Sequence, residues 1–597
     1  MIIGLVLTLI GAGLGLVNPY VSGRVIDEVF EQGLAYRLRP LLLFMICVTF
    51  VKTIVHYAFR RIFEAASQGT LVDMRRDIYN QVQIQTHTFY DNNRVGDIMS
   101  RLTGDLDAIR HFLAYVVYSL FENVVMFVAA LVLLFVISWQ LALLILIITP
   151  VIAVTAYRQS REIKPAFTRI REQFSRLNTV CQENISGNRV VKAFSKEDSE
   201  IEKFTVHNQE FWDANVDSSK IWVKYLPILD FCAGALFFVL LLAGGILVIT
   251  DRLELWKLVT VNGYLWAVSN PLRMFGWLLN DTQRFNASLD KIFDMMCKRV
   301  DIKSPPNAVK TDRLKGKVEF DHVSFGYEVT DNFDKTRVFQ GKRKKPILRD
   351  ISFTVLPGQT VGIVGATGSG KTTLINLISR FYDVTKGRIL VDDVDVREYD
   401  LYSLRRGIAA ATQDVFLFSD TVEGNVAYGV PDIPMEGVEE AAKTACAHDF
   451  IVNLESGYDT IIGERGVGLS GGQKQRLALA RALATDPAIL ILDDTTSAVD
   501  METEHEIQNA LREKHSSGTK FVIAHRLSSV MHADLILVME GGRIAERGSH
   551  AELLAQKGIY YHLFQNQYGD YAKEASHLPG HSLPDNKYGK GGEVYGT

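Results

Sequence analysis

The 597 residues exceed what one small domain uses and, at roughly 150 residues per domain, leave room for several. Lys plus Arg number 64 against 68 Asp plus Glu, a net charge of −4 that offers no basic footprint for a nucleic acid. Five scattered cysteines (Cys47, Cys181, Cys232, Cys297, Cys446) contain no C-x-x-C pair, which argues against a disulfide framework or a cysteine metal site and fits packing residues in a reducing compartment.

Hydropathy divides the chain: residues 1–300 hold nearly all the long apolar runs, whereas 316–555 have the texture of an ordinary globular domain. Crossing about 30 Å of hydrocarbon takes about 20 apolar residues in a helix. Six stretches approach that, at about 1–21, 39–59, 112–137, 140–157, 222–249 and 255–279. The first has no basic residue before Arg24 and no small-residue cleavage site, so it reads as a retained span rather than a signal peptide. The third and fourth are joined by little more than Ser138-Trp139, which predicts a tight hairpin. The sixth is interrupted by Asn262, Asn270, Pro271 and Arg273, and suits the inside of a bundle better than a lipid-facing position.

Seven arginines in 59–110 and eleven basic residues in 158–221 stand against five in the other connections, which predicts that the two long segments face the cytosol. Both read as polar continuations of the flanking helices, with turn-like breaks at Asn92-Asn93 and Ser186-Gly187. Lys52, Glu122 and Asp230 are ionisable groups within spans; they point either to an inward-facing substrate path or to pairing and snorkelling.

From Gly316 the pattern becomes short β-branched runs and glycine turns. Thr360–Val364 reads as a strand, Gly365-Ala-Thr-Gly-Ser-Gly-Lys-Thr-Thr373 as a loop, and Leu374–Ile378 as a helix. The G-x-x-x-x-G-K-T spacing from Gly365 to Thr372, through Gly368, Ser369 and Gly370, lets backbone N–H groups curl round phosphate oxygens at a helix N-terminus. Lys371 adds a point charge, and the Thr372 hydroxyl can ligate Mg²⁺. Ile489-Leu-Ile-Leu-Asp493 reads as a buried strand ending in a carboxylate, the second Mg²⁺-side ligand of such a nucleotide site. Just before it, Leu469-Ser470-Gly471-Gly472-Gln473 opens an amphipathic helix, a second phosphate-facing N-terminus.

With that pentapeptide the chain resembles the ATP-binding cassette (ABC) family, and with its N-terminal half it is similar to exporter half-transporters over residues 1–570. The resemblance implies an α-helical six-span transmembrane domain fused to an α/β P-loop ATPase: membrane domain 1–300, linker 301–315, nucleotide domain 316–568 and a disordered tail 569–597. It implies ATP and Mg²⁺ as ligands, with Tyr327 stacking on adenine, Thr372, Gln413 and Asp493 on the metal side, His525 as the γ-phosphate switch, Glu464–Gly466 near the coupling helices, and Ser497–Asp500 as the D-loop. Two cassettes pair head to tail in that family, so Ser470–Gln473 would serve the partner's nucleotide and a second half-transporter is implied. Membrane lipids and a hydrophobic small molecule complete the expected partners, with no nucleic acid.

Where the family usually has Glu after the strand-ending Asp, this chain has Asp494. Its carboxylate sits about 1 Å short, and misplacement on that scale costs on the order of 10²-fold in rate. A hydrolysis-impaired site beside an intact signature resembles the degenerate-site subunit of bacterial heterodimeric multidrug exporters. Helical segments near Asp97–Asp107 and Lys196–Phe204 are the expected coupling contacts, 328–345 is an unusually long charged loop, and the elbow helix that usually precedes the first span is missing.

Overall fold

The computed structural model describes residues 1–329, 343–514 and 517–569. Most of the 328–345 loop and the tail beyond 569 therefore lie outside the described residues. The chain divides into two units: Met1–Ile84 with Val95–Lys298, and Gln85–Arg94 with Arg299–Thr597.

The first unit is helical. Helices Leu38–Gln83, Trp139–Ser186 and Glu197–Ile249 hold 46, 48 and 53 residues. At 1.5 Å per residue these are about 70–80 Å long, more than twice the hydrocarbon thickness, as the polar continuations predict. The hairpin forms as expected: a helix ends at Ile137, and Ser138 alone separates it from Trp139. Among the described residues, five helices, beginning at Ile2, Ala35, Val95, Trp139 and Glu197, are long and apolar enough to cross a membrane by length and composition. The sixth expected span is not among them. Its residues do form a helix, Leu255–Met296, and Val261, Tyr264, Ala267 and Val268 on it are buried. Its Asn and Arg side chains dilute the apolar content, as an interior position allows.

Small residues set its packing. A Cβ on Gly23 would meet Thr260, one on Gly263 would meet Pro19 at 2.7 Å, and one on Gly244 would meet Leu258 at 2.3 Å, so each glycine makes room for a side chain of the neighbouring helix. Tyr264 donates to the Leu16 carbonyl at 2.7 Å. Of the ionisable residues within spans, Glu122 lies 3.8 Å from His56 and Lys52 stands 6.0 Å over the Trp266 ring. Asp230 is exposed.

Among its described residues the second unit holds ten strands in two sheets. The smaller is antiparallel, in the order β2 (Arg343–Val355), β1 (Val318–Val329), β4 (Lys386–Val391), β5 (Val394–Asp395). The larger runs β10 (Arg543–Gly548), β9 (Leu535–Glu540), β3 (Thr360–Gly365), β8 (Thr519–Ile523), β7 (Ile489–Asp493), β6 (Ile408–Ala411). All its pairs are parallel except β9–β10. β7 is buried along its whole length, as a parallel strand covered on both faces must be. The register Ala411↔Leu492, Asp493↔Ile523 and Gly365↔Met539 brings the C-terminal ends of β6, β7, β8 and β3 to one edge, the usual ligand edge of such sheets.

Candidate nucleotide site

The loop after β3 is built by backbone that only glycine adopts cheaply. Gly365, Gly368 and Gly370 have φ of +148°, +81° and +102°. A Cβ at Gly365 would sit 2.2 Å from the Met539 carbonyl oxygen. The turn delivers Lys371 to the first position of helix Lys371–Ile378. Its Nζ donates to the carbonyls of Gly365 at 2.8 Å and Ala366 at 3.1 Å. Burial holds the Lys371 ammonium below the usual lysine range, against the pull of Asp493 and Asp494. The Ser369 hydroxyl is buried with no hydrogen-bond partner among the described residues. A cationic side chain and an unsatisfied hydroxyl inside a glycine turn fit an oxyanion ligand such as phosphate.

Asp493, 4% exposed, closes β7 beside this loop. Burial pushes its carboxyl up, while a hydrogen bond from Thr372 and the charges of Lys371 and His525 act the other way. A hydroxyl and a carboxylate side by side are hard oxygen donors of the kind Mg²⁺ takes, leaving further positions to phosphate and water. Thr372 and Asp493 thus fit the expected metal. Gln413 follows β6 at the same edge, exposed.

Asp494 is half-buried, with φ of +51°. Aspartate tolerates this left-handed backbone better than most side chains. Three hydrogen bonds fix it: its N–H donates to Ile523 at 3.0 Å, and its carbonyl accepts from Gln475 at 3.3 Å and the Ser497 hydroxyl at 3.0 Å. His525 follows β8, exposed, with its charge felt at Asp493.

The Tyr327 hydroxyl lies 3.1 Å from Thr373 Oγ1, and the ring stands edge-on to Tyr382 at 5.2 Å. Ser470 caps helix Gly471–Leu483 through a reciprocal box: its hydroxyl accepts from the Gln473 N–H at 3.3 Å, and Gln473 Oε1 accepts from the Ser470 N–H at 2.9 Å. A Cβ on Gly472 would meet the Ala498 carbonyl at 2.8 Å, so glycine lets this helix lie against the D-loop. Among the described residues, no hydrogen bond or ion pair joins Ser470–Gln473 to Gly365–Thr372. The Glu464–Gly466 turn lies just ahead of the signature.

A short segment of the N-terminal half, Gln85–Arg94, belongs to the second unit. Helix His87–Asn92, about ten residues upstream of Asp97–Asp107, supplies the contacts: Tyr382 donates to Asp91 at 2.8 Å and His87 lies over Phe381 at 4.3 Å. Within the first unit Asp105 accepts from Ser288 at 2.8 Å, and Lys203 pairs with Glu183 and Glu200.

Other organising residues had no contiguous motif to announce them. Gln475 bonds Asp494, Ser497 and the Ala498 N–H, and so ties the signature helix to the D-loop. The only sequence signal was a second glutamine two residues after Gln473. Buried Glu504 accepts from Thr496, Ser529 and Arg526, uniting segments 33 residues apart. Arg481 bonds the Phe416 and Asn425 carbonyls and lies over Phe418 and Tyr428, bracing the chain that follows Gln413.

Sheet, loop and carboxylate together define a P-loop nucleotide-binding domain in one chain with a bundle of membrane-length helices. The ABC transporter transmembrane region family matches residues 1–272 and the ABC transporter family matches residues 348–497. The chain is 39% identical over 559 residues to the "Uncharacterized ABC transporter ATP-binding protein YknU" of Bacillus subtilis, covering 93% of this chain and 92% of the relative. It is 35% identical over 566 residues to an ATP-dependent lipid A-core flippase of Syntrophus aciditrophicus, covering 95% and 92%. A solved bacterial Atm1-family ABC exporter with ATP bound matches at a TM-score of 0.76 and 27% identity, over 95% of this chain and 98% of that one. The chain belongs to the ABC transporter family, with the one-membrane-domain, one-ATPase-domain organisation of an exporter half-transporter.

Proposed function

We propose that the chain is one subunit of a heterodimeric, ATP-driven exporter that moves amphipathic or hydrophobic compounds out of the cytosol or the inner leaflet of a bacterial cell membrane. Its domains are those the sequence suggests, with the ATPase in the cytosol. Tyr327 stacks on adenine, Gly365–Thr373 cradle the phosphates, Thr372, Asp493 and Gln413 hold the metal, and His525 meets the γ-phosphate. When bound there, Mg²⁺ neutralises charge on the phosphate oxygens. Asp494 is too short to hold the attacking water well, so this chain's own site binds ATP and turns it over slowly. Ser470–Gln473 serve the partner's competent site. ATP acts by binding the closed pair of cassettes more tightly than the open pair, which is how any ligand shifts a conformational equilibrium.

The observation that carries the reading is Asp494 itself. Its backbone is pinned by three hydrogen bonds, so the chain cannot slide forward to recover the missing reach. The signature beside it keeps its capping box. Names among the relatives that refer to lipid A-core and to multidrug resistance support an amphipathic cargo. The full-length chain purified alone is expected to bind ATP with weak turnover, rising at least tenfold when a half-transporter bearing Glu at the matching position is added. Brisk turnover by the chain alone would overturn the heterodimer reading.

A further inference from the structure

Helix Ile559–Tyr568 is the last described element, and nothing in the nucleotide chemistry uses it. It is nevertheless one of the better anchored helices of the second unit. Glu546 on β10 accepts from the Ile559 and Tyr560 N–H groups at 2.5 and 3.0 Å, satisfying two donors that a helix N-terminus leaves free. Tyr560 is fully buried, and its hydroxyl lies 2.7 Å from His550 Nδ1. Leu563 and Phe564 pack on a cluster containing Leu527, Val530, Val538 and Val364, the last of these one residue before the phosphate loop.

From that fixed base Gln567 reaches the switch segment with both ends of its amide. Its Nε2 donates to the His525 carbonyl at 2.7 Å, and its Oε1 accepts from the Leu527 N–H at 2.9 Å. The two bonds bracket Arg526 and fix the backbone on either side of it. From the other flank, Glu504 holds Arg526 and Ser529. The stretch after β8 is thus clamped twice, and His525 is left exposed, with its charge felt at Asp493.

We propose that Gln567 is a positioning residue for His525, so that the ability of this site to tell ATP from ADP depends on helix Ile559–Tyr568. The inference rests on the reading of His525 as the γ-phosphate contact. Gln567 is itself exposed, and water can satisfy the His525 carbonyl if its amide is removed. What is lost is the fixed place of the imidazole, and only a ligand with a γ-phosphate senses that.

The test uses the full-length chain in detergent with Mg²⁺, reading competition of ATPγS and of ADP against a fluorescent ATP analogue. His525→Ala should lower the ATPγS-to-ADP affinity ratio about tenfold, the worth of one hydrogen bond to a charged group. Gln567→Met, which keeps the side-chain length without the amide, should lower the ratio at least threefold with ADP affinity unchanged. The double variant should be no worse than His525→Ala, since both act through one contact. A ratio unmoved by Gln567→Met while His525→Ala lowers it refutes the positioning role. Equal weakening of ATPγS and ADP by Gln567→Met makes its role merely structural and also refutes it. Losses that multiply in the double variant do the same. A ratio unmoved by His525→Ala overturns the reading of His525, and the proposal falls with it.

Discussion

Replacing Asp494 by glutamate tests the central claim most directly. The added methylene extends the side chain by one C–C bond of about 1.5 Å, enough to span the shortfall of about 1 Å that costs on the order of 10²-fold. At 1.36 kcal/mol per tenfold in rate, that is about 2.7 kcal/mol of barrier. Against this stands the left-handed backbone at φ +51°, which aspartate accepts more readily than glutamate. That penalty, at most about 2 kcal/mol, falls on folding rather than on the barrier, because the three bonds to Ile523, Gln475 and Ser497 hold the backbone in place. Phosphate release by the full-length chain purified alone should therefore rise between about 10- and 100-fold. Two copies of the variant would also share intact Ser470–Gln473 signatures. Asp494→Asn sets the floor. If Asp494→Glu binds ATP as tightly as the parent and its turnover stays within twofold, the length of the acid is not what limits the site.

Two other changes probe the second unit. Tyr382→Phe deletes the 2.8 Å bond to Asp91, worth about 1 kcal/mol, so amide exchange in helix His87–Asn92 should quicken about fivefold; unchanged exchange would mean that His87 on Phe381 suffices to dock it. Burial depresses the His550 pKa below 6.5, so its contribution to stability is fully present above pH 6.5 and is lost as pH falls through its own lower value, by at most about 1.4 kcal/mol per pH unit. Between pH 6.5 and 5.5 the thermal midpoint of the full-length chain should drop further than that of His550→Gln, and parallel curves would remove His550 as the cause.

The nucleotide loop was legible because its chemistry is contiguous: strand, glycines, lysine and helix follow one another in 19 residues, and no long-range contact is needed to read them. The same holds for Asp493 and for the Ser470–Gln473 cap. The long helices were legible too, since polar sequence that stays periodic past a span has nowhere to go but along the helix axis. Helix Leu255–Met296 tested the limit of that method. Its asparagines lower its hydropathy because Gly23 and Gly263 let it pack inside the bundle, and hydropathy cannot see a neighbour's missing Cβ. Helix His87–Asn92 went unread for a related reason. Asp97–Asp107 carries the conspicuous charges, but what docks is one hydrogen bond from Tyr382 and one ring on Phe381, and their partners lie nearly 300 residues away in sequence. Glu504 and Gln567 were invisible on the same grounds: each is an ordinary helix-surface residue until β8 brings the switch segment beside it.

On the proposed reading, a site that holds ATP without splitting it still does mechanical work in the pair. A ligand moves a two-state equilibrium only by its differential affinity for the two states, and shifting it from 1:99 to 99:1 takes about 10⁴-fold. Two nucleotides can share that demand, about a hundredfold each, if both lie between the cassettes. The slow site then need never empty on each turn, and hydrolysis at the partner's site alone releases half of the clamp and returns the equilibrium to balance. Such a division needs the slow site to keep its grip, and the grip lies in Lys371, Thr372 and the buried Ser369 hydroxyl. None of these is altered by the loss of a methylene at Asp494. Shortening that acid therefore removes turnover without loosening the phosphates, whereas a change at Lys371 would cost both.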